Sequence, residues 1–460
     1  MVVLDIAIVN VALPSIKIDL GFSQENLQWV ISAYALFFGG FLLLGGRAAD
    51  LLGRRRMFLV GVVLFTTASL VSGFAWGEGP LIGARAMQGL GAAIITPAAL
   101  SILMTTFAEG KERNAALGAW GGVGAFGAVA GVLLGGVLTD LLSWNWIFFV
   151  NVPVGILGLV LAPFLINESR DATAESYDLP GAVLVTSGLV TLVYAITQAN
   201  HFGWGSATTI GLFVAAGALI AAFLGWEARA KDPLMPFSIF RLRTLVGANI
   251  AGFILGTALF GMFLMLTLYM QQVLGYSAMK TGVAYLAVAG TAIIWSTVAA
   301  QLVTRIGVKP VLVVGMSALT AGLLYFTQVS VGGSYWTDLF PGLLLVAVGL
   351  GFSFVPISIA ALAGVQPAEA GLASGLLNTS QQIGGALGIA ALSAIATSTT
   401  TSDLSSGTTP AFALTNGFQD AFIAGAIIAF VGVLVSIFVV SRRDLTVEVP
   451  EVEPAFEQAA

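Results

Sequence analysis

Two charged residues, Asp5 and Arg85, lie within long apolar stretches of the sequence, where charges are otherwise missing. A charge at bilayer depth costs at least about 2.5–3.5 kcal/mol, so such residues usually face a cavity and have a partner. Burial favours the protonated form of a carboxyl group, whereas a nearby arginine favours the ionised form. The pair is therefore a candidate for proton uptake and release, and a structural ion pair is the alternative.

A group of amide side chains in the apolar blocks gives a second candidate site. In one block three of them follow Ser374 at helical spacing and form a polar stripe. Such a stripe indicates either hydrogen bonding between helices or the lining of a cavity. The candidates for a cavity lining are Asn10, Gln88, Asn378, Gln381 and Gln382.

Glycines recur every four residues at Gly127, Gly131 and Gly135, with Gly136 beside them. On a helix this spacing produces a face of small residues, which lets another helix approach closely. Helix packing is the simplest interpretation of this face.

The elements that position these residues are predicted to be membrane-spanning helices. Only 9% of the 460 residues are charged and 58% are hydrophobic, with the charges falling between long apolar blocks. About 20 apolar residues are needed to cross a bilayer core, and the unbroken runs exclude a transmembrane β-barrel. Fourteen helices are predicted, two of them within 179–226 and the others at 1–16, 27–46, 57–77, 86–108, 114–139, 141–167, 244–273, 281–304, 311–329, 339–362, 371–397 and 421–440.

The first of these segments is short. Residues 1–16 form only about 24 Å of helix, which is less than the thickness of the bilayer core. We expect that part of the first helix is missing from this sequence.

Basic residues predict the orientation, because cytoplasmic loops of membrane proteins are enriched in them. If the first span runs outward, fifteen basic residues lie at cytoplasmic ends, and the other side has Lys17 and Lys280. Both termini are therefore predicted to be cytoplasmic, in a multi-pass protein of the plasma membrane. Residues 444–460 are predicted to form a disordered acidic tail.

The composition also limits the chemistry. The chain has no cysteine and a single histidine, His201, so thiolate sites and His-rich metal clusters are excluded. No hydrophilic connection is long enough to hold a soluble catalytic domain. We therefore expect no enzyme activity, metal, cofactor or nucleic-acid partner.

The loop after the second span combines glycines with charges. Its candidate gating residues are Gly46, Asp50, Gly53, Arg54 and Arg55. Glycine permits the tight turn, Asp50 can cap the next helix, and the arginines favour the cytoplasm. A degenerate copy lies 254 residues later at Gly307, and Gly89 and Gly91 have a similar echo 260 residues later at 349 and 351. These echoes indicate duplicated halves.

Several of these motifs resemble the major facilitator superfamily. The pattern Gly46-x-x-x-Asp50-x-x-Gly53-Arg54-Arg55 resembles its signature loop, and Arg85-Ala-Met-Gln-Gly resembles its motif in span four. The first span, with Asp5, Asn10 and Pro14, resembles that of the fourteen-helix drug:proton antiporters. So does the entry into span six, Trp144-Asn-Trp-Ile-Phe-Phe-Val-Asn-Val-Pro.

The resemblance implies an all-α integral membrane protein with the major facilitator fold. It places two six-helix bundles at 1–168 and 241–443, and two inserted spans with cytoplasmic linkers at 169–240. It implies a monomer that exports drug-like compounds in exchange for protons by alternating access, with Asp5 and Arg85 in coupling and the glycine face as a seam of the outward gate. The alternative is a proton-coupled transporter of a specific metabolite, lipid or nutrient, in either direction.

Overall fold

The computed structural model of the chain describes residues 1–107, 111–170, 178–231, 233–365 and 370–439, and these residues contain no β-strand. Gly53 and Gly307 each adopt a positive φ immediately before a helix, at 109° and 87°, as expected for tight turns that need glycine. The helices are α1 (Val2–Leu20), α2 (Gln24–Leu27), α3 (Trp29–Leu52), α4 (Arg54–Gly73), α5 (Glu78–Thr106), α6 (Lys111–Leu141), α7 (Trp146–Phe149), α8 (Asn151–Leu165), α9 (Leu179–Phe202), α10 (Ala207–Glu227), α11 (Arg243–Leu268), α12 (Ala278–Ala284), α13 (Leu286–Ile306), α14 (Val308–Phe326), α15 (Phe340–Leu362), α16 (Ala370–Ser405) and α17 (Pro410–Phe438).

In the part of the chain that the structure describes, thirteen helical segments are long and apolar enough to cross a membrane. They coincide with thirteen of the fourteen predicted spans. The remaining predicted span is α1, which carries Asp5, Lys17 and Asp19. The prediction made it too short, because α1 continues to Leu20 and ends at Gly21, whose φ is 70°. Its 19 residues make about 28 Å of helix, close to the thickness of the bilayer core.

The chain repeats one packing arrangement. Helix α5 packs against α3 and α4, and α15 packs against α13 and α14. At Gly91 of α5 a Cβ would lie 2.9 Å from that of Phe65 in α4, and at Gly349 of α15 it would lie 2.9 Å from that of Leu319 in α14. Each glycine therefore permits the same close helix contact. The contacts repeat between the two halves, but they pair Gly91 with Gly349 and not with Gly351, so the register of that sequence echo is wrong by two residues.

The first bundle contacts the second near the C-terminal end of α6. The Asp140 carboxylate accepts hydrogen bonds from the backbone N–H groups of Ala278 (3.1 Å) and Met279 (2.9 Å) at the start of α12. The Gln271 side chain donates to the carbonyl oxygen of Val11 in α1 at 2.8 Å. These bonds hold the two bundles together at this end of the molecule.

Helices α9 and α10 pack against each other, and α9 also packs against α3 and α16. At Gly40 of α3 a Cβ would lie within 3.1 Å of that of Thr186 in α9, so the glycine permits a close contact there. The two inserted helices are thus joined to both bundles through α9.

Candidate functional site

The predicted charged pair forms a buried ion pair between α1 and α5. The Nη1 atom of Arg85 lies 2.5 Å from Oδ2 of Asp5, and the two side chains are 1% and 0% exposed. Gln88 lies one turn after Arg85 on α5 and ten residues after Glu78, where that helix begins. Ten residues of helix correspond to about 15 Å along the axis. The structure therefore brings Asp5 and Arg85 together, deep within the bundle.

Two amide side chains complete the surroundings of the carboxylate. The Oδ1 atom of Asp5 accepts hydrogen bonds from Nε2 of Gln88 at 2.7 Å and from Nδ2 of Asn151 at 2.8 Å. Both amide nitrogens also lie 3.1 Å from Oγ of Ser69, which donates to the carbonyl oxygen of Phe148. Gln88, predicted to line a cavity, is instead part of this buried polar cluster.

The arginine is fixed by further contacts. Its Nε donates to the carbonyl oxygen of Val30 at 2.8 Å, and its Nη1 donates to Oε1 of Gln88 at 2.6 Å. The guanidinium carbon lies 4.5 Å from the ring centre of Tyr34 and 5.6 Å from that of Phe148, distances typical of cation–π contacts. These contacts therefore stabilise the positive charge of Arg85 at a position that is buried from water.

This arrangement determines which form of Asp5 fits the site. All three side-chain partners of its carboxyl group are donors, so the ionised form accepts every bond without needing a proton of its own. The carboxylate is thus matched by donors from α5 and α8 in this arrangement.

The glycine face of α6 packs against the same turn of α1. A Cβ at Gly131 would lie 2.7 Å from the carbonyl oxygen of Leu4, and one at Gly135 would lie 2.6 Å from that of Ile8. Both distances are too short for a real side chain, so only glycine permits this approach. Because Asp5 lies between Leu4 and Ile8, the glycine face positions the carboxylate.

The other two glycines of this set have looser or different partners. A Cβ at Gly127 would lie 3.5 Å from the nitrogen of Leu4, an ordinary contact. Gly136 faces the second bundle instead, where a Cβ would lie 2.7 Å from Cα of Met279. The face thus contacts α1 and α12 on different sides of α6.

The predicted gating loop lies around the carboxylate of Glu168, a residue that the sequence analysis did not select. Oε1 of Glu168 accepts from the N–H of Arg55 at 3.1 Å, and Oε2 accepts from that of Arg56 at 3.1 Å. A Cβ at Gly53 would lie 2.7 Å from the same carboxylate, so the turn needs glycine for this reason as well. Gly46, at the start of the loop motif, lies against Pro97 of α5.

The prediction that Asp50 caps α4 is wrong. Asp50 accepts from Nε and Nη2 of Arg54 at 3.1 and 3.0 Å, and from the hydroxyl of Ser101 at 3.4 Å. The N–H groups of Arg55 and Arg56 at the start of α4 donate to Glu168 instead.

The predicted polar stripe does not form a single surface. On α16, Asn378 is exposed and donates to the carbonyl oxygen of Ser374 in its own helix. Gln382 is buried with its Cβ against Gly39 of α3, and Gln381 lies along α11. Asn10 is partly buried and donates to the carbonyl oxygen of Ile6.

Among the residues that the structure describes, Nε2 of Gln381 is a buried nitrogen with no hydrogen-bond partner. A buried donor without a partner is unfavourable, because its desolvation is uncompensated. Gln381 therefore carries an unsatisfied donor in the packing of α16 against α11.

Sequence reasoning missed four polar residues that the structure places at functional positions. Ser69 and Asn151 hold the buried cluster, Asp140 joins the bundles, and Glu168 caps α4. Asn151 precedes the proline of the span-six motif, and Asp140 is the single charge between two uncharged blocks. These two positions carried a signal, whereas Ser69 and Glu168 had none.

Comparison with known proteins extends these observations. The chain is similar to the puromycin resistance protein of Streptomyces alboniger, with 42% identity over 89% of this chain and 82% of that protein. It is 38% identical to the cephamycin export protein of Amycolatopsis lactamdurans, over 93% of this chain and 87% of that protein.

Solved structures give the same fold. A bacterial homologue of the human lysosomal transporter Spinster, crystallised in an inward-facing and unoccupied conformation, matches with a TM-score of 0.66. Its sequence is 16% identical, and the match covers 96% of this chain and 94% of that one. The model of the Major Facilitator Superfamily matches residues 1–389. This multi-pass membrane protein is thus a transporter rather than an enzyme, and it belongs to the Major Facilitator Superfamily.

Proposed function

We propose that this protein exports amphipathic or hydrophobic drug-like compounds in exchange for protons. Its two relatives support export, since one is named for resistance to puromycin and the other for export of cephamycin. The observation that carries proton coupling is the buried Asp5–Arg85 pair with its amide partners. Burying charged groups deep in an otherwise apolar bundle is energetically unfavourable, and such groups usually have a function. A role in proton-coupled transport explains their presence.

The proton step begins from an ionised Asp5. A proton binds when α5 carries Arg85 and Gln88 away from the carboxylate, because the ionised form then loses its donors. It leaves when the donors return. Helix movement and proton transfer are thus one event, which is the requirement for coupling.

The substrate step uses alternating access between the two bundles. The bonds from Asp140 to the start of α12 close the end of the molecule opposite the arginine-rich loops. Opening that end requires these bonds to break, while α6 moves along α1 on its glycine face. Gln381, with its buried unpartnered nitrogen, and the exposed Asn378 are proposed contacts for the substrate.

We place both termini in the cytoplasm of a monomer in the plasma membrane, with the bundles at 1–168 and 241–443. Cysteines introduced at Ala207 and Glu112, both exposed, test this orientation in a chain without natural cysteines. Membrane-impermeant reagent added to intact cells should label the first and spare the second. Labelling of both from one side would reject the topology.

Transport itself is tested in proteoliposomes with an imposed proton gradient. Substrate should accumulate on the acidic side, and protons should flow the other way. A drug-susceptibility panel in an efflux-deficient host selects the compounds. Protection against several unrelated drugs supports the proposal; protection against none, with movement of a single metabolite, lipid or nutrient, supports the alternative.

A further inference from the structure

A second buried acidic site lies outside the cluster used for coupling. Asp178, just before α9, is 6% exposed, and Glu227, at the end of α10, is 3% exposed. Their carboxyl groups lie together beside Gly181 of α9. Two buried carboxyl groups so close together cannot both be ionised without strong repulsion.

Each carboxyl group uses one oxygen for a defined set of donors. Oδ1 of Asp178 accepts from the N–H of Gly181 at 2.9 Å and from the indole of Trp226 at 2.7 Å. Oε2 of Glu227 accepts from the N–H of Met235 at 3.2 Å. These contacts join the two inserted helices to the linker that leads to the second bundle.

The remaining oxygens of the two carboxyl groups lie close to each other. Within the described part of the chain, Oδ2 of Asp178 and Oε1 of Glu227 are buried without a hydrogen-bond partner. Both lie beside Gly181, at 2.3 and 2.9 Å from the position that a Cβ would take there. A proton between them satisfies both atoms at once.

We propose that Asp178 and Glu227 form a proton-binding site that holds the linker against the two inserted helices. Asp178 has two donors on its other oxygen, and Glu227 carries the proton and donates it to Oδ2 of Asp178. Loss of this proton puts two negative charges together, and their repulsion loosens the packing of the end of α10 and its linker against the start of α9. Since the site lies at the arginine-rich end of the molecule, it responds to the pH on that side.

The charged groups nearby are consistent with this assignment. Gly40 of α3 contacts Thr186 of the antiparallel α9, and the same register brings Arg47 level with Asp178. Arg229 and Lys231 follow Glu227, and Arg229 donates to the carbonyl oxygen of Gly225. With one proton bound the pair retains one negative charge, which these basic groups partly balance.

A metal ion fits the site less well than a proton. It has two free oxygens, whereas hard cations take six or more oxygen ligands. Among the described residues, no group of three or more His, Cys, Asp or Glu side chains is placed to hold a metal.

The site is tested by infrared spectroscopy and thermal unfolding of the full chain in lipid nanodiscs. The wild type should show the carbonyl band of a protonated carboxyl group at neutral pH, which shifts in heavy water, and Glu227→Gln should lose it. The folded state holds a proton that the unfolded state lacks. The melting temperature of the wild type should therefore fall as the pH rises through the value at which the folded pair loses this proton. Glu227→Gln should flatten this dependence, since its amide donates to Asp178 at every pH.

Glu112→Gln is the matched control, because Glu112 is an exposed glutamate, and it should behave as wild type. An unchanged band and pH dependence in Glu227→Gln would overturn the proposal. Stabilisation by sodium or potassium at fixed pH, lost in Glu227→Gln and without a protonated band, would also overturn it in favour of a cation site. If Glu227→Gln does not fold, Asp178→Asn and the titration of the wild-type band decide the question.

Discussion

The first and second bundles have the same helix contacts but different interiors. Gly91 and Gly349 make equivalent close contacts, and counting back six residues from each pairs Arg85 with Leu343. Both side chains are buried, yet one holds a carboxylate and the other packs among apolar residues. The helix arrangement therefore does not depend on a charge at this position.

The same comparison holds one turn further along. Gln88 of α5 donates to Asp5, whereas its counterpart Val346 of α15 is buried in the apolar core. The second bundle thus packs apolar side chains at both corresponding positions, so packing alone gives no reason for the charged cluster. This difference supports the proposed role of the cluster in transport, and substitutions that make the first bundle resemble the second test that proposal.

Arg85→Leu copies the second bundle and should have the largest effect. It leaves Asp5 buried without its cation, and breaking a buried ion pair costs about 3–5 kcal/mol. Thermal unfolding in detergent should show a strongly lowered melting temperature, and transport should be absent.

The double variant Asp5→Leu/Arg85→Leu is the informative control. An apolar pair of similar volume often restores the stability lost with a buried ion pair. We expect recovery of most of the melting temperature but no proton-driven transport. A single variant as stable as the wild type would show that the ion pair contributes little to the fold.

Asp5→Asn should uncouple transport, with some loss of stability because it removes the anionic partner of the buried Arg85. The amide keeps the shape of the side chain and removes its titration, while Gln88 and Asn151 still find an acceptor in its oxygen. In proteoliposomes, uphill export should be lost and downhill exchange of substrate should be partly retained. If the variant still concentrates substrate and still moves protons, Asp5 is structural and coupling lies elsewhere.

Gly131→Leu tests the contact that positions Asp5. A side chain there meets the carbonyl oxygen of Leu4 and Cβ of Ala7, so α1 must shift away from α6. Transport should fall to a small fraction of the wild-type rate. Gly122→Leu on the same helix is the matched control, since a Cβ at that position meets nothing within 4 Å. Wild-type transport by Gly131→Leu would show that the close contact is not needed.

The sequence predicted the spans well, because a membrane-crossing helix leaves a long uncharged run that few other structures produce. It also identified Asp5 and Arg85, since a charge inside such a run is conspicuous. Ser69 could not be found this way, because a lone serine in an apolar helix has no distinctive spacing. Glu168 was equally hidden, as its role depends on a loop more than a hundred residues earlier.

The polar stripe shows a second limit of sequence reasoning. Helical spacing placed Asn378, Gln381 and Gln382 on one side of α16, but a helix in a bundle has neighbours at several angles. Gln382 meets α3, Gln381 meets α11, and Asn378 is exposed and bonds within its own helix. Periodicity gives the direction of a side chain from its helix axis and does not identify the neighbour in that direction.

The smallest effect is expected at the glycine-containing turn that occurs in both bundles. Gly53 and Gly307 both turn the chain at positive φ before a helix, yet Asp50 of the first loop corresponds to Thr304 in the second. The fold therefore forms this turn without a carboxylate. Asp50 and Arg54 are partly exposed, at 32% and 14%, and such a pair contributes at most about 1 kcal/mol.

Asp50→Asn should consequently leave the folded structure intact and slow the exchange between conformations. We expect a several-fold lower transport rate with ligand affinity within a few-fold of wild type, because the loop is remote from the buried cluster. Binding by equilibrium titration and turnover in proteoliposomes separate the two quantities, and Thr304→Val at the corresponding position should change neither. A large loss of affinity with normal turnover would contradict a gating role and place Asp50 in ligand binding instead.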